Sequence, residues 1–158
     1  MSKSLVAYFS ASGKTSILAK TVSSAVSGDL YQIVPQEPYT SADLDWTNKN
    51  SRSSVEMNNK SFRPQITGTL PDLSQYDTVY ICFPIWWYVA PTIINTFLES
   101  FDLDGKTVIP FATSGGSGMG NTNSELAPSC KGANLKNGKV FSPYASEDEI
   151  KAWLKTIK

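Results

Sequence analysis

Residues 10–15, Ser-Ala-Ser-Gly-Lys-Thr, gather three hydroxyls and an ammonium into one short turn. An apolar run from Leu5 to Phe9 enters it, and a helical pattern marked by Leu18, Val22, Ala25 and Val26 leaves it. Backbone amides at a helix N-terminus lack intrahelical partners and carry the positive end of the helix dipole. Ser10, Ser12, Gly13, Lys14 and Thr15 therefore form a candidate phosphate-holding turn. It is not a nucleotide P-loop, because Tyr8 stands where that motif requires a glycine five residues before Gly13. The dinucleotide fingerprint fails too, since Gly13 is the only glycine in the turn and three are needed. Serines are equally suited to capping a helix, so the turn alone leaves phosphate binding and plain capping both open.

Two other loops carry unusual residue types. Pro84 to Pro91, read as PIWWYVAP, holds Trp86, Trp87 and Tyr88 in succession. Successive residues on extended backbone point to opposite sides, so the two tryptophans are not expected to enter one core. One of them can wall a site for a flat aromatic ligand, where stacking adds about 0.5–1.5 kcal/mol beyond area burial. The alternative is that one packs on the following helix while the other covers a neighbouring loop. Thr113 to Thr122, read as TSGGSGMGNT, contains Gly115, Gly116, Gly118 and Gly120, four of the ten glycines in the chain. Such backbone approaches something closely, adopts positive φ, or is simply a flexible turn. Together the three loops describe a pocket for a flat heterocycle carrying one phosphate.

The elements that must position these loops alternate between strand and helix. The first helix stops near Gly28, and a second strand is expected at Leu30 to Val34, closed by Pro35. Thr78 to Phe83 is an unbroken apolar and β-branched run that suits a central strand buried on both faces. Pro91 opens a helix whose stripe is Ile94, Phe97, Leu98 and Phe101. Asp104 and Gly105 turn into a fourth strand at Thr107 to Ala112, and a weaker fifth is expected around Leu135 to Phe141. An amphipathic helix from Glu147 to Ile157, with a capping box in Ser146 and Glu149, closes the chain. Gln36 to Thr69 is the least regular part, where a polar crossover helix is expected over Leu44 to Lys60. This alternation predicts an α/β fold, a doubly wound parallel sheet with helices on both faces. Ligands of such sheets bind outside the carboxyl ends of the strands, where all three loops should meet.

Composition narrows the chemistry. At 158 residues the chain suits one compact domain. Fourteen basic and fourteen acidic side chains cancel, so no strong field favours nucleic acid or an anionic membrane. The absence of histidine removes Ser-His and Cys-His pairs and the usual neutral-pH general base, which leaves the hard chemistry to a cofactor and assigns no catalytic side chain. Cys82 and Cys130 fit neither a CxxC pair nor a zinc site and read as inert thiols of a reducing cytosol. With no signal peptide pattern and no apolar stretch of membrane-spanning length, a cytoplasmic location is expected.

Residues 8–15, YFSASGKT, resemble the phosphate loop of the flavodoxins, whose usual pattern ends in Thr-Gly-Asn-Thr. PIWWYVAP followed by PFATSGGSG resembles the two ring-binding loops of flavodoxin-like flavoproteins, and the likeness runs through essentially the whole chain in order and spacing. It implies a five-stranded parallel sheet in the order 2-1-3-4-5 and noncovalent FMN. Position by position, it implies that Ser10, Ser12, Gly13, Lys14 and Thr15 hold the FMN phosphate. Pro84, Ile85, Trp86 and Trp87 would flank the isoalloxazine, and Thr113, Ser114, Gly115, Gly116, Ser117 and Gly118 its other edge. Two departures stand out. Lys14 replaces the preferred Asn, either adding charge attraction or pointing into solvent, and the chain is neutral where electron-shuttling flavodoxins are typically strongly acidic.

Three functions follow as expectations. The first is electron transfer through FMN to a redox partner protein or a small-molecule acceptor. In that case a ring packed on aromatics in a dry site holds added negative charge poorly, which lowers the potential of the second electron. The second is an FMN-dependent reductase drawing on NAD(P)H and passing electrons to a quinone or similar acceptor, a role that needs no acidic docking face. The third is a binding module that keeps the fold without flavin, supported only by Lys14.

Overall fold

The computed structural model describes residues 3–11, 13–59, 61–114, 116 and 118–157. In chain order the elements are β1 (Ser4–Tyr8), α1 (Lys14–Val26), β2 (Asp29–Gln32), β3 (Val34–Pro35), α2 (Arg52–Met57) and β4 (Ile66–Thr67). They continue with β5 (Thr78–Pro84), α3 (Thr92–Glu99), β6 (Thr107–Thr113), α4 (Thr122–Leu126), β7 (Asn134–Leu135), β8 (Lys139–Val140) and α5 (Glu147–Thr156). The main sheet runs β2-β1-β5-β6, all parallel, with β7 and β8 both pairing in parallel with β6. This is the expected order 2-1-3-4-5 with its last strand in two pieces.

Alternation along the strands divides the core between two faces. Val6, Tyr8, Cys82, Ile109 and Phe111 pack with Leu18, Ala19 and Val22 of α1 and Ile150 of α5. Leu5, Ala7, Val79, Ile81 and Phe83 face the other way, onto Ile93, Ile94, Phe97 and Leu98 of α3 and Leu126 of α4. The helix layers hold the strand ends in register, and the loops that follow β1, β5 and β6 emerge along one edge.

Three expectations need correction, each with a local cause. The second strand leaves the main sheet early: Ile33 still donates to the Tyr8 carbonyl at 2.7 Å, but Val34 and Pro35 pair antiparallel with Thr67 and Ile66 in a separate ribbon. The polar helix expected over Leu44 to Lys60 shrinks to Arg52–Met57, and Lys60 lies outside the described residues. Asp45 and Asn48 turn their side chains onto the amides of Thr47 and Asn50, at 3.0 and 2.9 Å, and so offer the backbone an alternative to helix. Ser51 then caps the short α2 through the Ser54 amide. The fifth strand breaks between Leu135 and Lys139, opposite Pro110, which has no N–H to give. A Cβ on Gly138 would lie 2.7 Å from the Cβ of Pro110, so the chain passes that proline at close quarters, held by Asn123 through the Lys136 carbonyl at 2.8 Å.

One side-chain pair carries a pH prediction. Tyr76 donates its hydroxyl to Asp29 at 2.6 Å, and this hydrogen bond, with burial, pushes the phenol up from 10.0 to about 12. A raised folded-state pKa means the native state holds the proton more firmly than the unfolded chain. The pair's contribution is complete below pH 10 and fades as pH rises from 10 towards 12. Urea unfolding of the wild type is expected to weaken across that window with an increment missing in Tyr76→Phe. Equal slopes in the two proteins would contradict it.

Candidate functional site

The first loop turns into α1 through Gly13, whose φ of 89° lies in the left-handed region that glycine adopts freely. The Ser10 hydroxyl accepts from the amides of Gly13 and Ser16 at 3.1 and 3.2 Å, and the Ser16 hydroxyl returns a bond to the Gly13 carbonyl at 2.7 Å. Ser10 is thus an internal cap. Among the described residues no group outside the helix accepts from the amides of Lys14 and Thr15, which stand at the positive end of α1 where an anion is favoured. Lys14 is exposed, whereas Thr15 is buried with its hydroxyl 2.8 Å from that of Thr113. That bond ties the first loop to the third. Ser12 lies outside the described residues. Ser10→Ala is expected to lower folding stability by about 1 kcal/mol through the lost cap, measured by urea unfolding; an unchanged midpoint would show that the cap is dispensable.

The second loop is a tight hairpin. Trp86 and Val89 exchange both backbone hydrogen bonds, at 2.9 and 3.2 Å, and the two residues between them have positive φ, 51° at Trp87 and 66° at Tyr88. Hairpin turns with two positive-φ residues normally use Asn and Gly, so two bulky aromatics here are under backbone strain. The turn separates the indoles as expected. Trp86 packs edge-on against Phe9 with ring centres 5.7 Å apart, whereas Trp87 is 43% exposed.

The third loop docks onto that hairpin. The Asn121 amide donates to the Tyr88 carbonyl at 2.9 Å, and Gly120 sits at φ 54° directly against Tyr88. A Cβ on Gly120 would stand 2.7 Å from the Cβ of Tyr88 and nearer still to its carbonyl oxygen, so the close approach needs glycine. Gly116 and Gly118 are exposed with open space where a Cβ would go, while Gly115 and Ser117 lie outside the described residues.

A cleft of about 430 Å³ opens where these loops meet, lined by Lys14, Pro84, Ile85, Trp86, Thr113 and Ser114 together with Ser142, Pro143 and Tyr144. Six of the expected residues are thereby brought to one place. Trp87 is not among them: it lines a separate cavity of about 230 Å³ on the other side of the hairpin, with Val89, Asn95 and Ser129. The segment 142–144 was not anticipated, although a loop leaving the fifth strand must end at the same sheet edge. Tyr144, 78% exposed, is its most prominent member. The cleft has a cationic, amide-rich end beside α1 and an aromatic and aliphatic wall in Trp86, Pro84 and Ile85. Those two surfaces suit the phosphate and the ring of one ligand. Cys82 lies beneath the site but is fully buried, and desolvation pushes its thiol well up, so it is a neutral core group. Among the described residues no cluster of acidic or cysteine side chains could hold a metal, and no helix is long and apolar enough to cross a membrane.

No curated protein matches the chain significantly. A family model described as flavodoxin matches residues 3–157. Among solved structures, a protein from Bacteroides eggerthii assigned as a flavoprotein is 53% identical, covering 99% of this chain and 98% of its own, with a TM-score of 0.93. A second, from Bacteroides uniformis and likewise assigned, is 52% identical over 98% of each chain, with a TM-score of 0.91. A flavoprotein from Lactobacillus acidophilus solved in complex with FMN is 24% identical, covers 98% of this chain and 99% of its own, and has a TM-score of 0.72. A family match over residues 3–157, joined to relatives more than half identical along nearly their whole length, makes this chain a member of the flavodoxin family.

Proposed function

We propose that this flavodoxin-family protein binds FMN noncovalently in the cleft behind Lys14 and Trp86 and serves in electron transfer. The observation that carries the reading is the cleft itself, with the helix N-terminus and the Lys14 ammonium at one end and an indole wall at the other. Family membership and the FMN complex of the Lactobacillus relative support FMN as the cofactor. When bound, FMN supplies the capacity to take up and release one or two electrons. The chain contributes binding and orientation. The amides of Lys14 and Thr15 and the Lys14 ammonium hold the phosphate. Trp86, Pro84 and Ile85 pack one side of the ring and exclude water, while Thr113 and Ser114 bring hydroxyls and backbone to its edge. The Thr15–Thr113 bond keeps the phosphate and ring ends of the site at a fixed spacing. Trp87 and the exposed glycines Gly116 and Gly118 contribute through the loops they belong to. Two buried free thiols agree with a reducing, cytoplasmic setting.

The neutral net charge favours a second reading, an FMN-dependent NAD(P)H reductase of small acceptors, because a small substrate requires no acidic docking face. An anaerobic titration distinguishes the two. Stoichiometric FMN uptake followed by bleaching with NADPH identifies a reductase. Bleaching by dithionite alone identifies a carrier whose donor is another protein. A protein that takes up no FMN overturns both.

A further inference from the structure

The irregular segment between β3 and β4 reaches the back of the cleft's wall, at Trp86, through one side chain. Tyr39 sets its ring edge-on to Trp86, with centres 5.3 Å apart, and edge-on to Phe9 at 5.7 Å. Phe9 immediately precedes the phosphate turn and Trp86 walls the cleft, so Tyr39 braces the junction of both. Its hydroxyl donates to Oε1 of Glu56, a carboxylate only 5% exposed. Arg52 donates Nε to the other oxygen of Glu56 at 2.9 Å and lays its guanidinium 3.9 Å from the centre of the Tyr39 ring. Through Nη1 the same guanidinium bonds the carbonyls of Glu37 and Pro38, at 2.8 and 3.3 Å, on the strand side of Tyr39. The tyrosine is held at its ring, at its hydroxyl and along the preceding backbone.

An ion pair with a buried carboxylate and a half-buried guanidinium is weak as a source of stability, because desolvation of the carboxylate offsets much of the Coulomb gain. What such a group supplies is a single arrangement. None of its three members lines the cleft, yet the ring they fix touches the indole that does. We propose that Tyr39, Glu56 and Arg52 form a positioning device for Trp86, fixing the indole as the wall of the cleft and thereby setting FMN affinity. The proposal rests on reading that cleft as the FMN site.

The test is a double-mutant cycle. Tyr39→Phe keeps the ring contacts and removes only the bond to Glu56, and Glu56→Gln keeps an acceptor while removing the charge. FMN affinity is expected to fall about tenfold in Tyr39→Phe, the scale of a lost hydrogen bond to a charged group. Trp86→Ala alone and Trp86→Ala combined with Tyr39→Phe are then expected to bind FMN equally, because the network acts through the indole. Near-ultraviolet circular dichroism of the flavin-free proteins is the second readout: Tyr39→Phe and Trp86→Ala should lose the same indole band, whereas Ile150→Val, a core change on the opposite sheet face, should keep it. Additive losses in the cycle, or a wild-type indole band and affinity in both Tyr39→Phe and Glu56→Gln, would overturn the proposal. If the wild type takes up no FMN, the cofactor reading falls by itself, and the indole band alone decides whether the network positions Trp86.

Discussion

Trp86→Ala is expected to weaken FMN binding by about 30- to 150-fold, equivalent to roughly 2–3 kcal/mol, while Trp87→Ala changes it by less than about threefold. The asymmetry follows from the hairpin turn. It sends Trp86 into the cleft and Trp87 to a different cavity, although the two are neighbours in sequence. Trp86 also meets Phe9 and Tyr39 edge-on, so its removal leaves a gap beside the phosphate turn as well as a missing ring wall. Quenching of flavin fluorescence on titrating FMN into each flavin-free protein measures both constants. Equal losses at the two positions would mean that the ring does not lie against Trp86.

The second large effect is expected at Gly120, a residue that need not touch the cofactor. A methyl group there enters the space of the Tyr88 backbone, and the residue must also hold φ 54°, which costs an L-residue about 1–2 kcal/mol before any clash. Relief requires the hairpin and the third loop to part, breaking the bond from Asn121 to Tyr88. Gly120→Ala should therefore lose about 2–4 kcal/mol of folding stability and reduce FMN affinity along with it, while Gly118→Ala, with open space at its Cβ, should do neither. Unfolding midpoints and FMN titrations of the pair give the comparison, and wild-type values for Gly120→Ala would show that the loops are docked more loosely than described.

Much of this organisation was legible from residue pattern. The apolar runs of β1, β5 and β6 left no alternative to buried central strands, and their loops led directly to one sheet edge. The meeting of the candidate residues was legible too: Lys14, Pro84, Ile85, Trp86, Thr113 and Ser114 line one cleft, because each lies at or just beyond the end of a strand whose position was secure. What escaped depends on contacts distant in sequence. Nothing near Tyr39 announces that its hydroxyl will find Glu56 or that its ring will meet Trp86. The break of the last strand is set by Pro110, which sits in the strand beside it. Asp45 and Asn48 ended the expected helix by bonding locally, a competition that helical spacing of apolar residues does not register. Trp87, expected beside Trp86 in the ring-flanking loop, lines a second cavity instead of the cleft, because a tight turn and an extended strand both separate neighbouring side chains but only the turn sends this one there.

The hairpin at Trp87 and Tyr88 has a consequence for how the molecule can be altered. Asn followed by Gly would occupy those two positive-φ sites without strain, so the wild-type pair keeps folding free energy in reserve beside the candidate cleft. Heat resistance is therefore easiest to gain at the one turn where the two exposed rings would be lost in gaining it. Variants selected only for thermal endurance are expected to drift towards a blunt, featureless turn there.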